Sequence, residues 1–457
     1  MSKIYDIAVL GSGPGGYVGA LRAATLGLSV CLIEKGDLGG VCLNAGCIPT
    51  KILLRSAHFL HEVKNASALG IKVDNVGFDF DVIMGRKEKV VDQLKKGILY
   101  LLKKRGVAIV TGSGKITSLN TIEVQGQTIR FKNCIIAVGS KPAELPAIKF
   151  SEKSGVFSSR DMLKIKDIPK SLLIIGGGVI GCEFADIFNS LGCDITIVEL
   201  TDQILPNEDI DIALSLEKEL KKRGIKILTN TKVTQLKELN AGGFDIQTDD
   251  KKNIICEKIL LAVGRVPNGL DCGLEAVGIK HNNGTIEVNA SMRTNIDNFY
   301  AVGDVLGKTY LAHVASHEGI VAGENIAGNP FKMNYDFVPR CVYTNPEVAS
   351  VGMSEAMAVE KNIKIKVGKF PLLANGRAAV ENKNQGMVKL ISDSDDNIIG
   401  GALCSSLASE LIHEVCVAME SGIKSSKFSE IIHAHPTISE SIMEAAKDIN
   451  LKAIHKI

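Results

Sequence analysis

The chain has 457 residues, enough for about three domains, with 45% hydrophobic and 23% charged side chains. That composition excludes a disordered chain, and 53 basic against 51 acidic residues excludes a strongly basic nucleic-acid binder. No run reaches the ~18 apolar residues of a membrane span, and eleven cysteines are too sparse for a disulfide scaffold.

Met1-Ser2-Lys3 leads directly into an apolar strand, Ile4 to Leu10, with no secretory n-region or cleavage site before it. The expected setting is the cytoplasm, or the mitochondrial matrix for a processed, imported form. A glycine turn follows, with Gly11, Gly13 and Gly16 in GxGxxG spacing, then an amphipathic helix and a second strand ending in Glu34. In such a turn the first glycine bends the chain sharply, and the second lets the backbone approach a pyrophosphate. The third permits close helix–strand packing, while the helix N-terminus presents N–H donors and a positive dipole. The terminal glutamate is placed to accept hydrogen bonds from ribose hydroxyls.

Cys42 and Cys47 come next, in Gly39-Gly40-Val41-Cys42-Leu43-Asn44-Ala45-Gly46-Cys47-Ile48-Pro49-Thr50-Lys51. A structural disulfide closing so short a loop would contribute only roughly 2 kcal/mol. Zinc lacks a second CxxC or histidine pair at ligand spacing nearby, and no metal site is expected. A redox-active dithiol fits better, since the pair lies beside a predicted helix N-terminus that favours thiolate. Structural cysteines remain the competing reading. Lys51 sits one turn beyond Cys47 on the same helix face, as a surface lysine or as a cation beside an electron acceptor. Cys31, Cys134, Cys182, Cys193 and Cys256 fall in apolar patterns and read as core residues.

The strand Ile135 to Val138 ends at Gly139, and the nucleotide unit then repeats. Residues 172–199 align without a gap on residues 7–34, pairing Gly176, Gly178, Gly181 and Glu199 with Gly11, Gly13, Gly16 and Glu34. Two complete strand–turn–helix–strand units, each closed by an acid, indicate two dinucleotides. Leu200-Thr201-Asp202-Gln203 after Glu199 offers no arginine for a 2′-phosphate, so NAD is favoured over NADP. Leu260 to Arg265 and Phe299 to Asp304 repeat the strand-then-glycine theme. Near the C-terminus, Leu407, Leu411, Val415 and Ala418 form a helical stripe that fits either core or dimer face. His435-Pro436 follows, with Glu440 five residues on and able to orient the imidazole as a base.

These motifs resemble the flavin-dependent disulfide reductases over nearly the whole chain, Tyr5 to Leu451. They include GSGPGGY from Gly11, GGVCLNAGCIPTK from Gly39, GGGVIGCE from Gly176, AVGRVPN from Ala262, YAVGD from Tyr300, LAHVASHEG from Leu311, YTNPE from Tyr343 and HAHPTISE from His433. The resemblance implies an α/β fold with two Rossmann-like domains, for FAD and NAD, plus a C-terminal α+β dimerisation domain. The expected segments are 1–145 for FAD and the cysteines, 146–268 for NAD, 269–334 completing the FAD site, and 335–457 for dimerisation.

It further implies that Cys42 is the interchange thiol, that Cys47 faces the flavin, and that Lys51 contacts the flavin and pairs with Glu183. Asp304, Gly114, Ser140 and Ala312 would contact FAD; Val233 and the turn through Gly264 and Arg265 would line the NAD cleft. His435, oriented by Glu440, would act on the partner subunit of a homodimer, while His433 would be structural. The implied reaction oxidises dihydrolipoamide carried by lipoyl domains, around the acyltransferase core of 2-oxo acid dehydrogenase complexes or on the lipoyl carrier of glycine cleavage. A glutathione reductase-like enzyme is the alternative, although it should carry arginines after the second nucleotide unit. A multienzyme scaffold with dispensable catalysis is another. Departures from the family pattern are small: Ser12 where glycine is frequent, and Val41 where many members have threonine.

Overall fold

The structure, a computed structural model, describes residues 3–455. The elements that carry the sites are β1 (Ile4–Leu10), α1 (Pro14–Thr25), β2 (Val30–Glu34), α2 (Gly40–Ala45), α3 (Cys47–Lys64) and β3 (Gln127–Ile136). Beyond them lie β4 (Ser171–Ile175), α4 (Val179–Ser190), β5 (Asp194–Val198), α5 (Ile210–Lys222) and α6 (Ala312–Ile326). The chain forms two compact units, each assembled from three segments. The first comprises residues up to Leu53, Asp79–Ala143 and Gly264–Asn334; the second comprises Leu54–Phe78, Glu144–Val263 and residues from Tyr335 onward.

In the first unit a seven-stranded sheet runs Ala108–Thr111, β2, β1, β3, Thr121–Val124, Gly114–Ser118, with Phe299–Ala301 also paired to β3. Its β2–β1–β3 core is parallel, with Val9 opposite both Leu32 and Ile135. Ile7, Ala8 and Val9 are fully buried, which explains why β1 reads as an unbroken apolar run rather than an alternating one.

Helices α1 and α6 pack backbone to backbone in this unit. A Cβ on Gly319 would overlap the carbonyl oxygen of Gly15, and one on Gly19 would come within 3.0 Å of the Gly319 carbonyl. Gly15/Gly19 and Gly319/Gly323 thus form two i,i+4 pairs that let the helices approach this closely. Arg22 Nε donates to Glu324 Oε1 at 2.7 Å at the far end of the same contact. Gly319→Ala is expected to cost about 1–3 kcal/mol by overpacking. Thermal unfolding of the variant checks that cost.

The second unit contains a parallel sheet in the order Lys226–Leu228, β5, β4, Lys258–Leu261, Val156–Phe157. A three-stranded antiparallel sheet (Val233–Glu238, Phe244–Thr248, Asn253–Cys256) shares a core with it through Phe244, Ile246 and Cys256. The C-terminal part is a five-stranded sheet covered by helices Ala408–Glu420 and Glu440–Asp448. Of the stripe that fitted core or dimer face, Val415 and Ala418 are buried in this core and Leu411 packs against it, while Leu407 is exposed.

A buried ion cluster ties the second unit's segments together. His58 Nε2 lies 2.8 Å from Asp186 Oδ2, which also accepts the Asn345 N–H at 2.7 Å; Arg223 Nη2 is 2.5 Å from Asp186 Oδ1. Burial pushes the Asp186 carboxyl up, but the Arg223 charge and the His58 hydrogen bond outweigh it and hold the group below its usual 3.8. A depressed folded-state value contributes stability above the unfolded value, and that contribution is lost as pH falls through the folded one. Asp186→Asn should therefore destabilise the protein by about 3 kcal/mol at neutral pH. The difference from wild type should shrink below about pH 4, as urea unfolding across pH would reveal.

Candidate active site

The glycine turns at the ends of β1 and β4 have the same construction. Gly11 and Gly176 adopt φ of +99° and +107°, and a Cβ on either would overlap the carbonyl of Ala137 or Ala262. Gly13 and Gly178 are the N-caps of α1 and α4, neither with a side-chain cap, and a Cβ on either would enter open space. Gly16 and Gly181 sit directly on the carbonyls of Gly11 and Gly176, where no side chain fits. Two uncapped helix N-termini facing open cradles fit the pyrophosphates of two dinucleotides.

The two glutamates that close the nucleotide units, Glu34 and Glu199, are positioned by their own turns. Glu34 Oε2 accepts the Ser12 N–H and hydroxyl at 2.8 and 2.6 Å, and Oε1 accepts the Gly36 N–H at 2.8 Å. Glu199 Oε2 accepts the Gly177 N–H at 2.6 Å, and Oε1 accepts the Thr201 N–H and hydroxyl at 2.8 and 2.9 Å. Each carboxylate is thereby oriented while spare lone pairs remain for a ligand. Sequence reasoning passed over Ser12 as a neutral departure. The signal was its alignment with Gly177, since both positions give a backbone N–H to the glutamate.

Around the first cradle, Ala312 opens α6, whose N-cap Leu311 leaves the terminus uncapped. Gly114 begins its strand against Leu10 and Ile33, where a Cβ would collide with Leu10. The Ser140 hydroxyl donates to Asp304 Oδ2. The Arg265 guanidinium meets Ser140 and Asp304: Nε donates to Ser140 Oγ at 2.7 Å, Nη2 donates to Ser140 O at 3.0 Å, and Nε lies 3.6 Å from Asp304 Oδ2. The nearby carboxylate attracts the cation, and the pairing of Arg265–Pro267 with Ser140–Pro142 supplies the register. Gly264 and Arg265 belong to the first unit, whereas Val233 begins a strand of the second.

The cysteines lie at a break between two helices. Helix α2 ends at Ala45 with Gly46 as its C-cap, and Cys47 is the first residue of the 18-residue α3, where the helix dipole favours a thiolate. The Asn44 amide ties α2 to the preceding turn, donating to the carbonyls of Leu38 and Gly40 at 2.9 Å each. Cys42 and Cys47 are both half-buried, and a hydrogen bond joins them. A hydrogen bond to Cys47, then burial, drives the Cys42 thiol far above its usual range; Lys51 pulls it down and Asp304 pushes it up. Tyr17 on α1 is a further neighbour, its hydroxyl pushed up by burial and by Cys42.

In the second unit, Glu183 is buried on α4 and its Oε1 accepts the Tyr343 N–H at 3.0 Å. His435 Nδ1 lies 2.9 Å from Glu440 Oε1, while Oε2 of the same carboxylate accepts the Thr437 N–H at 2.8 Å. The peptide before Pro436 is cis. The His435 side chain is 77% exposed, so its Nε2 face is open to a second surface. His433 is buried instead, between Glu414 Oε1 at 2.6 Å and the Ile431 carbonyl at 2.9 Å.

A thiol pair at a helix N-terminus, a dinucleotide cradle in the same unit and a second cradle in the other define a nucleotide-linked disulfide reductase. The chain belongs to the pyridine nucleotide-disulphide oxidoreductases: that family's profile matches residues 5–319, and the profile of its dimerisation domain matches residues 338–446. Its similarity extends to named members. It is 40% identical to a dihydrolipoyl dehydrogenase of Bacillus subtilis (strain 168), covering 100% of both chains. It is 42% identical to one from Geobacillus stearothermophilus, over 97% of this chain and 95% of that one. The mitochondrial dihydrolipoyl dehydrogenase of Pisum sativum is 39% identical, over 98% and 92%.

Among solved structures, LpdA from Mycobacterium tuberculosis superposes with a TM-score of 0.90 at 28% identity, over 97% of this chain and 99% of that one. The HOCl-induced flavoprotein disulfide reductase RclA from Escherichia coli gives a TM-score of 0.87, also at 28% identity, over 98% and 100%. No helix among the described residues is long and apolar enough to cross a membrane.

Proposed function

We propose that this chain oxidises protein-bound dihydrolipoamide with NAD, the activity of a dihydrolipoyl dehydrogenase. The observation that carries the reading is the hydrogen-bonded Cys42–Cys47 pair at the head of α3, within electrostatic reach of Lys51 and Asp304. FAD would occupy the cradle of Gly11, Gly13 and Gly16. Glu34 would hold its ribose, with Asp304, Ser140, Arg265, Gly114 and Ala312 along its length and Lys51 at the ring. NAD would occupy the cradle of Gly176, Gly178 and Gly181, with Glu199 on its ribose and Val233 at the cleft. When bound, the flavin relays two electrons between the cysteines and the nicotinamide.

The chain's own residues carry the sulfur chemistry. In the oxidised enzyme Cys42 and Cys47 form a disulfide. His435 of one protomer, held by Glu440, removes a proton from a substrate thiol at the cysteines of its partner. The resulting thiolate attacks Cys42 Sγ, the Cys42–Cys47 bond breaks, and Cys47 leaves as thiolate. The second substrate thiol then attacks the mixed disulfide, closes the lipoamide ring and expels Cys42, which takes up the proton. Re-forming the Cys42–Cys47 bond releases the Cys42 proton to solvent and two electrons, which the flavin, when bound, would pass to NAD to give NADH. Lys51 is assigned to holding charge beside this exchange.

We assign the enzyme to the cytoplasm as a homodimer serving lipoyl domains of a 2-oxo acid dehydrogenase or glycine cleavage complex. Glu199, held by Gly177 and Thr201, would repel a 2′-phosphate, which disfavours a glutathione reductase-like reading with NADPH. The discriminating experiment compares turnover of dihydrolipoamide with NAD against oxidised glutathione with NADPH. Turnover confined to the first pair supports the proposal; turnover confined to the second refutes it.

A further inference from the structure

The segment between β5 and α5 links the second nucleotide turn to a buried charge network that the mechanism does not use. At its near end the loop grips the glycine turn: Gly177 gives its N–H to Glu199 and its carbonyl accepts the Leu205 N–H at 2.8 Å. Leu205 holds φ of +49°, a left-handed conformation for a non-glycine residue, and Ile204 beside it is fully buried. The Gln203 amide braces the bend from inside, donating to the carbonyls of Leu205 and Glu208 at 3.3 and 3.1 Å. At its far end the loop enters the C-terminal sheet. Glu208 Oε1 accepts from Arg340 Nε at 3.1 Å, and Glu208 Oε2 accepts from the Ser350 hydroxyl.

Asp209, the N-cap of α5, meets the most enclosed cation of this network. Lys389 Nζ donates to Asp209 Oδ1 and Oδ2 at 2.7 and 2.8 Å and to Asp211 Oδ2 at 2.8 Å, and it also pairs with Glu355. The Lys389 side chain is 1% exposed and Asp209's 5%. Lys369 joins the edge through Asp211 at 2.6 Å. The short loop from Gly177's neighbour Glu199 to the Arg340 and Lys389 anchors is buried at Gln203, Ile204, Leu205, Glu208 and Asp209, the residues that make these contacts.

We propose that Lys389 and Arg340 are positioning residues for dinucleotide binding, acting through Glu208 and Asp209 to hold the loop against Gly177 and Glu199. The inference rests on the reading that the second cradle takes NAD. A buried ion pair that lost its cation would leave a carboxylate uncompensated, so the loop would shift to rehydrate it. Movement at Leu205 would pass to the Gly177 carbonyl and then to the phosphate and ribose donors. Because the first nucleotide cradle belongs to the other unit, the effect falls on NAD rather than on the flavin.

The test measures NAD affinity by calorimetry on flavin-loaded Lys389→Met, Arg340→Met and Glu208→Gln proteins, with flavin content and stopped-flow flavin reduction by dihydrolipoamide as parallel readouts. NAD Kd is expected to rise about tenfold. Flavin content and the dithiol half-reaction should stay at wild-type levels. Should Lys389→Met fail to fold, Glu208→Gln, which keeps the shape of its side chain, decides the matter. Folded variants that bind NAD as wild type does would overturn the inference. So would an equal slowing of the dithiol half-reaction, the mark of a general structural fault. A wild-type protein that binds no NAD would instead overturn the functional reading beneath it.

Discussion

Cys47→Ser and Cys42→Ser proteins are expected to lose at least about 10⁴-fold in dihydrolipoamide turnover while retaining bound flavin. Serine nearly preserves side-chain volume, and neither sulfur contributes to the glycine cradle, so binding of the cofactor should survive. The two variants should nevertheless differ. Cys42→Ser leaves a single thiol at the head of α3, where the helix dipole favours thiolate. Cys47→Ser removes the sulfur that accepts the Cys42 proton, and with it the leading cause of the high Cys42 value. Cys42 should then alkylate faster near neutral pH than in the reduced wild type. Rapid alkylation followed by peptide mass spectrometry would check that order, and flavin absorbance would check that both proteins remain loaded.

His435→Gln is expected to lower turnover by about 10²–10⁴-fold, the usual contribution of a positioned base. Glu440→Gln should have a smaller effect, because the Thr437 N–H still holds the side chain while the imidazole loses its anionic partner. The exposure of His435 on one protomer gives this expectation a second, sharper form. If the histidine serves the partner's cysteines, a dimer pairing a His435→Gln protomer with a Cys47→Ser protomer contains one intact site and one doubly broken site. Mixing the two inactive proteins under dimer exchange should then recover roughly a quarter of wild-type activity in a two-fold symmetric assembly. A histidine acting within its own protomer would leave every mixed dimer dead.

Much of this arrangement was legible in the chain before its coordinates. The duplicated turns could be read because a sharp bend, an uncapped helix start and a tight crossing each demand glycine at fixed spacing, and all six glycines serve those ends. The cysteine pair and Lys51 could be read for the same reason, since they lie within a few residues on adjoining helices. His435 and Glu440 are five residues apart, and their hydrogen bond is local. What escaped depends on encounters between distant segments. Gly15 and Gly319 meet only because α1 and α6 cross, and a small residue in a helix does not announce its partner. Asp186 and His58 are 128 residues apart, and Lys389 and Asp209 are 180 apart. A buried acid or lysine carries no local mark of the charge that will meet it. The partners of Arg265 were hidden for the same reason, since its guanidinium meets Ser140, 125 residues away, and Asp304.

The most direct measurement is differential alkylation of the flavin-loaded protein under anaerobic conditions. Oxidised protein should yield unlabelled Cys42 and Cys47. One equivalent of dihydrolipoamide should render both labelled, and subsequent NAD should return both to the unlabelled state while the other nine cysteines stay constant. A pair that stays unlabelled with dihydrolipoamide, or one that NAD cannot reoxidise, would contradict the account.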